Sequence, residues 1–163
     1  MVEWREIRAF PGYSVSDEGF VRNDNTGRLM TRSVNQFGVV NVGLMNNRVQ
    51  YRRGVALLVA EAFKVRPRES FDTPINLDGD RMNCWVGNLM WRPRWFATRY
   101  FRQFRIRKAL GFGRPIEEVH TKEYFKSPME AAVKYGLLEC EVIMSIQNHD
   151  CVWPTQQQFR IAE

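Results

Sequence analysis

The residues best suited to acid–base or metal chemistry lie within one segment, residues 74–91, of a chain of 163 residues. This segment reads PINLDGDRMNCWVGNLMW and places two carboxylates, Asp78 and Asp80, on either side of Gly79. Carboxylate oxygens are hard ligands of the kind that Mg²⁺ binds, so a cation site is one interpretation of this turn. The alternative, which we favour, is a solvated turn whose Asp, Gly and Asn residues shape the loop and cap its backbone.

The order of residues in this segment resembles the catalytic segment of phage-type HNH endonucleases. In that family the segment begins with Asp or Asn followed by His, and continues through Asp-Gly-Asp or Asp-Gly-Asn and a pair of Asn to Asn-Leu-x-Trp. The corresponding residues here are Asp78-Gly79-Asp80, Asn83 and Asn88-Leu89-Met90-Trp91. The resemblance implies a ββα-metal core and descent from enzymes that nick DNA with a bound metal ion.

Three departures from the family pattern remove that chemistry. Asn76 stands at the position of the general-base histidine, and Ile75 and Ala97 stand at the metal-ligand positions. An HNH nuclease needs a base to deprotonate water and a divalent cation to neutralise the phosphate, and an Asn amide accepts no proton at pH 7. Loss of a general base alone costs roughly 10²–10⁴ in rate. We expect no catalytic residue, no metal site, no cofactor, and little or no hydrolysis.

The composition indicates a basic protein of the cytoplasm. The formal net charge is +6 and the pI is about 9.5. The three cysteines, Cys84, Cys140 and Cys151, form neither a paired-ligand spacing nor a disulfide framework. No apolar run reaches membrane-spanning length and no signal peptide opens the chain, so we expect a cytoplasmic location in a bacterial host.

The first predicted segment, residues 1–53, reads as short strands broken by glycine turns. Its opening, EWREIRAFPGYSVSDEGFVRN, resembles the NUMOD4 module of phage and intron homing endonucleases. We predict a strand over residues 39–44 and a hairpin tip at Asn46-Asn47, and a ribbon of this kind can enter a major groove. The alternative is a solvated sheet. The predicted DNA contacts are Arg22, Arg28, Arg32, Asn35, Arg48, Arg52 and Arg53.

The second segment, residues 54–110, contains the HNH-like core and an arginine-rich linker helix. Residues 55–63, VALLVAEAF, resemble the helix that precedes the HNH loop, and we assign them to core packing. The later stretch WRPRWFATRYFRQFRIRK alternates cations with aromatic residues and contains no acidic residue. The family places here a linker that crosses the minor groove, and the alternative is a charged, solvated helix. The predicted DNA contacts are Arg94, Arg99, Arg102, Arg105, Arg107 and Lys108.

The third segment, residues 114–163, resembles the C-terminal helix-turn-helix module of the same enzymes. A short hairpin over residues 115–126 precedes a helix capped by Ser127, and a second helix, residues 139–148, follows a three-residue turn. The second helix begins with acidic residues, which repel phosphate. We also expect a closing strand near the C-terminus that Trp153 and Phe159 anchor. The predicted DNA contacts are Ser145, Asn148 and His149.

These patterns predict an α+β protein with a small N-terminal antiparallel sheet, a degenerate HNH-like core, a linker helix and a helix-turn-helix. We expect a sequence-specific protein that binds double-stranded DNA and represses transcription by occluding a promoter. It would need no small-molecule substrate and no membrane, and it could form a homodimer. One alternative is an active nickase that recruits Asp78, Asp80 or Asn76 to a rearranged metal site. The other is a relic, or a module that binds proteins through its two helices.

Overall fold

The computed structural model describes residues 1–105 and 112–163. Within these residues the chain forms four α-helices and eleven short β-strands, and the strand pairs are antiparallel. The predicted α+β class is confirmed. Arg107 and Lys108, two of the predicted DNA contacts, lie outside the described residues. No helix in the described part of the chain is long and apolar enough to cross a membrane.

The chain divides into two compact units, Met1–Ala97 and Thr98–Glu163. Each unit has its own hydrophobic core. The boundary between the units falls inside a helix, so the predicted division into three segments stays a prediction.

The first unit begins with two three-stranded sheets. One contains β1 (Trp4–Glu6), β2 (Tyr13–Ser16) and β3 (Val21–Asn23), and the other contains β4 (Arg32–Val34), β5 (Val40–Asn46) and β6 (Val49–Gly54), each in that spatial order. Strands β5 and β6 form the predicted hairpin. Asn47 and Arg48 at its tip have φ values of 49° and 64°, the left-handed conformation that a two-residue type I′ turn requires.

Helix α1 (Val55–Phe63) follows β6 directly and has the predicted bounds. It buries Val55, Leu58 and Val59, which lie on one side of a helix because they are spaced by three and four residues. Arg5 Nη1 donates to the Ala62 carbonyl oxygen at 2.9 Å, which satisfies an acceptor in the last turn of α1.

The HNH-like segment has the order strand, loop, strand, helix. Strand β7 (Thr73–Asn76) pairs antiparallel with β8 (Leu89–Arg92), and α2 (Arg94–Gln103) follows. The register places Asn76 opposite Leu89, so residues 77–88 form a closed loop at this end of the ribbon. Ala97 lies on the following helix, as the resemblance implies.

The second unit combines a small sheet with two further helices. The sheet has the order β10 (Tyr124–Phe125), β9 (Ile116–Glu118), β11 (Phe159–Ile161), and the helices are α3 (Pro128–Tyr135) and α4 (Glu139–Asn148). These elements confirm the predicted hairpin, both helices and a closing strand.

The ends of α3 follow the capping rules that its sequence suggests. The Ser127 hydroxyl accepts from Glu130 N at 3.3 Å, and the Glu130 carboxylate accepts from Lys126 N at 2.6 Å. Gly136 has φ 62° and donates to the last turn, which ends the helix in the left-handed conformation that glycine tolerates.

The closing strand differs in one respect from the sequence expectation. Phe159 is buried among aromatic rings, with centroid distances of 6.3 Å to Phe125 and 6.1 Å to Tyr135. Trp153, the second expected anchor, is 39% exposed. The strand starts only at Phe159, so Trp153 lies in the preceding turn, outside the ladder that holds β11.

Candidate nucleic-acid interface

The Asp-Gly-Asp loop is held by its own hydrogen bonds. Asp78 Oδ1 accepts from Asp80 N at 2.9 Å and from Asn88 Nδ2 at 2.9 Å, and Asp78 Oδ2 accepts from Asn83 Nδ2 at 2.7 Å. Asp80 Oδ1 accepts from Met82 N at 2.9 Å. These contacts are those of a structural turn, the interpretation favoured from the sequence.

Asn76, which the sequence resemblance aligns with the general-base histidine of HNH endonucleases, lies inside the same network. Asn76 is 3% exposed, and its Nδ2 donates to the Asn83 carbonyl oxygen at 2.8 Å. Asn88 Nδ2 donates to the same oxygen at 3.0 Å. Asn76 therefore joins β7 to the loop through a buried hydrogen bond. Its amide has no proton-accepting function at neutral pH.

The donor set of this loop does not fit the divalent cation that the family resemblance implies. Ile75 is fully buried and Ala97 is 4% exposed, and neither side chain has a ligand atom. Both oxygens of Asp78 already face N–H donors. Over residues 1–105 and 112–163, no group of three or more His, Cys, Asp or Glu is arranged to hold a metal ion.

Cys84 fastens the loop to the first sheet. Cys84 is buried, and a Cβ added to Gly19 would lie 2.8 Å from the Cys84 Cβ. A side chain at Gly19 would therefore displace the loop. Burial raises the pKa of the Cys84 thiol to about 11, against a smaller opposing effect of the Arg32 charge. A thiol with so high a pKa is a packing residue and a poor nucleophile.

The register of the second sheet sorts the predicted arginines into two faces. Residues opposite each other in an antiparallel ladder share a face. Arg32 and Arg53 pair with the buried Val42, so they lie on the core side. Their guanidinium groups stand over aromatic rings, Arg32 at 4.7 Å from Phe20 and Arg53 at 5.2 Å from Phe10. Both cations make cation–π contacts on that side, where Arg53 is half-buried and Arg32 stays exposed.

The opposite, outer face of the sheet carries a different set of polar residues. Arg52 pairs with Gly43, Gln50 pairs with Met45, and Asn41 lies on the same strand face. A Cβ at Gly43 would lie 2.6 Å from Gln50 Nε2, so the Gln50 amide extends across the glycine. This outer face presents an arginine and two amides, of which the Asn41 Nδ2 also donates to the Val39 carbonyl oxygen at 2.9 Å.

Sequence reasoning missed Gln50 and Asn41. Positive charge alone does not distinguish the two faces of the sheet, so arginines of both faces were predicted as DNA contacts. The signal that could have found the amides is the alternation of Val40, Val42 and Leu44, which fixes the inner face of β5 and therefore the outer one.

The remaining polar residues predicted in the first unit occupy different surroundings. Arg22 lies 4.5 Å over the Trp4 ring and 3.2 Å from Asp24, and Asn35 Oδ1 accepts from Phe37 N and Val39 N within its own loop. Arg28 and Arg48 are exposed. The structure thus places Arg22 and Asn35 in local contacts and leaves Arg28 and Arg48 at the surface.

Helix α2 has the two-sided character that its sequence suggests. Phe96 and Tyr100 are fully buried, whereas Arg94, Arg99 and Arg102 are exposed. Arg105, in the turn after the helix, is also exposed. The exposed side of the helix is basic, and it also carries Trp95, which is 54% exposed beside these arginines.

The predicted contacts on α4 do not share one surface. Asn148 and His149 are exposed at its C-terminal end. Ser145 is 3% exposed, and its hydroxyl donates to the Asp150 carbonyl oxygen and accepts from Phe159 N at 3.3 Å. Ser145 is a core residue that ties α4 to β11, because period 3.6 places it on the face of Val142 and Ile146. It is therefore not an exposed contact, contrary to expectation.

Comparison with known proteins gives two matches and one negative finding. No protein-family model matches the chain. Over 91 residues, 56% of the chain, it is 30% identical to an uncharacterized HNH endonuclease of Acanthamoeba polyphaga mimivirus. The chain spans only 27% of the length of that protein.

The second match is structural. The chain aligns over 98% of its length with 98% of a solved chain of the HNH homing endonuclease I-HmuI, from a study of its DNA binding and cleavage. The TM-score is 0.54 and the sequence identity is 21%. This likeness shows a shared fold, in agreement with the α+β class predicted from the sequence.

Proposed function

We propose that this chain is a sequence-specific double-stranded DNA-binding protein that descends from an HNH homing endonuclease and no longer cleaves DNA. One contrast carries the proposal: the positions of the base and the metal ligands hold Asn76, Ile75 and Ala97, whereas two polar surfaces remain available for DNA. These surfaces are the outer face of β4–β6 and the basic side of α2.

The outer sheet face has the chemistry of base recognition. A Gln or Asn amide pairs with adenine through two hydrogen bonds in the major groove, and Arg does the same with guanine. Gln50, Asn41 and Arg52 supply these groups from one face of the β5–β6 hairpin, and a two-stranded ribbon can enter a major groove. In this role the sheet belongs to the NUMOD4-like segment, residues 1–53, whose opening residues form β1–β3.

The arginines of α2 supply contacts to phosphate. Arg94, Arg102 and Arg105 are exposed on a segment without acidic residues, and each phosphate neutralised releases counterions. Affinity therefore falls with salt. The homing endonuclease I-HmuI, whose structure concerns DNA binding and cleavage, supports a DNA partner for this fold.

The two helices α3 and α4 form a helix-turn-helix in this proposal, with Asn148 and His149 at the edge that meets DNA. Occlusion of a promoter is the simplest consequence of binding without cleavage, so we assign the protein to transcriptional repression. A homodimer would lengthen the site that such a repressor covers.

Selection from a random library of double-stranded DNA tests binding directly. We expect repeated rounds of capture by the purified protein at moderate salt to converge on one site. An Arg52→Gln variant should lose preference at one base pair, and an Arg102→Gln variant should bind all sequences more weakly. A library that never converges, with no retardation of any duplex at low salt, would refute the proposal.

Promoter occlusion needs a separate test. The selected site is placed over the core promoter of a reporter gene, and we expect expression of the protein to lower reporter output. The matched control is the same site moved far downstream, where bound protein cannot exclude polymerase. Equal output from both reporters would exclude repression by occlusion.

A further inference from the structure

The C-terminal half of α2 is attached to the N-terminal turn of α4 by three polar contacts. Gln103 Oε1 accepts from Glu139 N at 3.0 Å, and Gln103 Nε2 donates to the Leu137 carbonyl oxygen at 3.2 Å. Arg99, one turn earlier on α2, lies 3.4 Å from the Glu141 carboxylate. All five residues belong to the second unit.

Gln103 performs the task of a helix cap from outside the helix. The residue at the N-cap position of α4 is Leu138, whose side chain makes no cap hydrogen bond. A helix start of this kind leaves backbone N–H groups without partners. Gln103 supplies the acceptor for Glu139 N, while Glu141 N and Val142 N reach the Leu138 carbonyl oxygen at 3.0 and 3.1 Å.

The same contacts close the N-terminus of α4 to an anion. A helix N-terminus binds phosphate when its N–H groups are open and its surroundings are positive. Here two of those N–H groups, Glu139 N and Glu141 N, are engaged, and the Glu139 and Glu141 carboxylates flank them. Burial raises the pKa of both carboxyls, and the Arg99 charge partly offsets the effect at Glu141. The carboxylates at the start of α4 repel an anion, and Glu141 instead pairs with the Arg99 cation.

The second unit also separates basic from acidic residues along its sequence. Residues 112–163 contain five basic and eight acidic residues, a net charge of −3 with His neutral, whereas residues 98–108 contain five basic and no acidic residues. Three of the five cations in residues 112–163 already pair with carboxylates: Lys122 and Arg160 with Glu117, and Lys134 with Glu123. An acidic module attracts the arginine-rich helix more readily than phosphate.

We propose that Glu141 and Gln103 are positioning residues that lock the arginine-rich helix to α4, and that the first turn of α4 is an internal docking surface instead of a base-reading element. The lock holds Arg102 and Arg105 in a fixed arrangement relative to the end of α4. Arg99 belongs to the lock and contributes no phosphate contact. This inference rests on the proposed DNA-binding function for its consequence, but the lock itself exists in the free protein.

The lock is tested first without DNA. Urea unfolding of Arg99→Gln, Glu141→Gln and the double variant forms a double-mutant cycle. We expect both single variants to lower the urea midpoint. The midpoint of the double variant should be no lower than that of the less stable single variant. Hydrogen exchange at the Glu139 amide should accelerate at least ~10-fold in Gln103→Ala, because the first turn loses its cap. Additive midpoints together with an unchanged exchange rate would refute the lock.

Binding to the selected DNA site then separates the lock from a phosphate contact. Replacement of a phosphate-binding cation flattens the dependence of log K on log salt by about 0.9. We expect this for Arg102→Gln, the matched control on the same helix, while Arg99→Gln and Glu141→Gln weaken binding about equally and keep the wild-type slope. Tighter binding by Glu141→Gln would mean that Glu141 withholds Arg99 from phosphate, which would overturn the assignment. Wild-type protein that binds no DNA would refute the proposed function, while the unfolding and exchange results still decide the lock.

Discussion

Asp78 and Asn88 form a reciprocal pair across the HNH-like loop. Asn88 Nδ2 donates to Asp78 Oδ1 at 2.9 Å, and Asn88 Oδ1 accepts from Asp78 N at 3.1 Å. The pair joins the first residues after β7 to the residue before β8, so it closes the loop at its base. The Asp78 carboxylate therefore serves as a staple of the loop.

This staple predicts a measurable loss of stability in Asn88→Ala. Asn88 is 7% exposed and makes three hydrogen bonds in the loop, so its removal leaves buried groups without partners. We expect a loss of about 2–3 kcal/mol in the free energy of unfolding, measured by urea denaturation. The control is Asp80→Asn, a change at an exposed residue, with an expected loss below about 0.5 kcal/mol. Equal effects of the two changes would contradict the staple.

Arg52 and Arg53 predict opposite phenotypes although they are neighbours in sequence. Arg53 lies on the core side over Phe10, so Arg53→Gln should cost about 0.5–1 kcal/mol of stability with a small effect on DNA affinity. Arg52→Gln, on the outer face, should leave the unfolding midpoint unchanged and weaken binding to the selected site. Thermal unfolding and titration of labelled DNA measure the two effects. If Arg52→Gln lowered stability and Arg53→Gln weakened DNA binding, the assignment of these arginines to the two faces would be wrong.

Substitution of Gly43 by Ala should change the DNA-sequence specificity of the protein without unfolding it. Its φ is not in the left-handed region, so Ala fits the backbone, but the new Cβ meets Gln50 Nε2 at 2.6 Å and displaces the amide. If Gln50 reads a base pair, Gly43→Ala should lose about 1–3 kcal/mol of discrimination at one position.

The matched variant for this prediction is Gln50→Ala, which removes the amide outright. Competition binding with single-base variants of the site should show the same lost position in both proteins, and the double variant should lose nothing more. A loss at different positions would show that Gly43 acts otherwise than through Gln50.

Glu118 predicts a dependence of stability on acid. Burial of this carboxyl favours the neutral form, but hydrogen bonds from Thr121 N at 2.6 Å, Thr121 Oγ1 at 2.8 Å and His120 N at 3.0 Å outweigh it and hold its pKa below the ordinary value of 4.5. A depressed folded pKa contributes stability above the unfolded pKa and loses it as pH falls through the folded pKa. The loss therefore occurs below pH 4.5.

Thr121→Val tests the contribution of the hydroxyl. It removes one hydrogen bond to an ionised group, so we expect a loss of about 1.5 kcal/mol at pH 7 and a smaller difference from wild type below pH 4. Thr121→Ser, which retains the hydroxyl, is the matched control and should follow the wild-type curve. Parallel stability curves of Thr121→Val and wild type across this range would contradict the assigned role of Glu118.

Local sequence signals predicted most elements of the fold. Ser127, Pro128, Glu130 and Gly136 define both ends of α3, because caps and left-handed residues act over a few positions. The hairpin after β5 was identified for the same reason, but its tip is Asn47-Arg48 and not the predicted Asn46-Asn47, because Asn46 still pairs with Val49 in the ladder. Trp153 was assigned wrongly, since a large aromatic residue indicates burial but does not show which strand will cover it.

The candidate site was less accessible from the sequence. The division of Arg52 from Arg53 depends on strand register, which β5 determines through its inner valines. Ser145 is chemically suited to DNA, but its burial depends on β11, which lies 14 residues further along the chain. The Gln103 and Glu141 contacts join residues 34 or more positions apart, and no local sequence pattern predicts such pairs.

We propose that the protein binds its DNA site without cleaving it, and one reaction tests both properties. Supercoiled plasmid that carries the selected site is incubated with saturating protein in Mg²⁺ and then Mn²⁺, and occupancy and strand integrity are measured in the same sample. We predict full occupancy and no nicked circle above the level of the buffer control. Nicking at or beside the site, abolished by Asp78→Ala or Asp80→Ala, would contradict the claim and establish an active nickase.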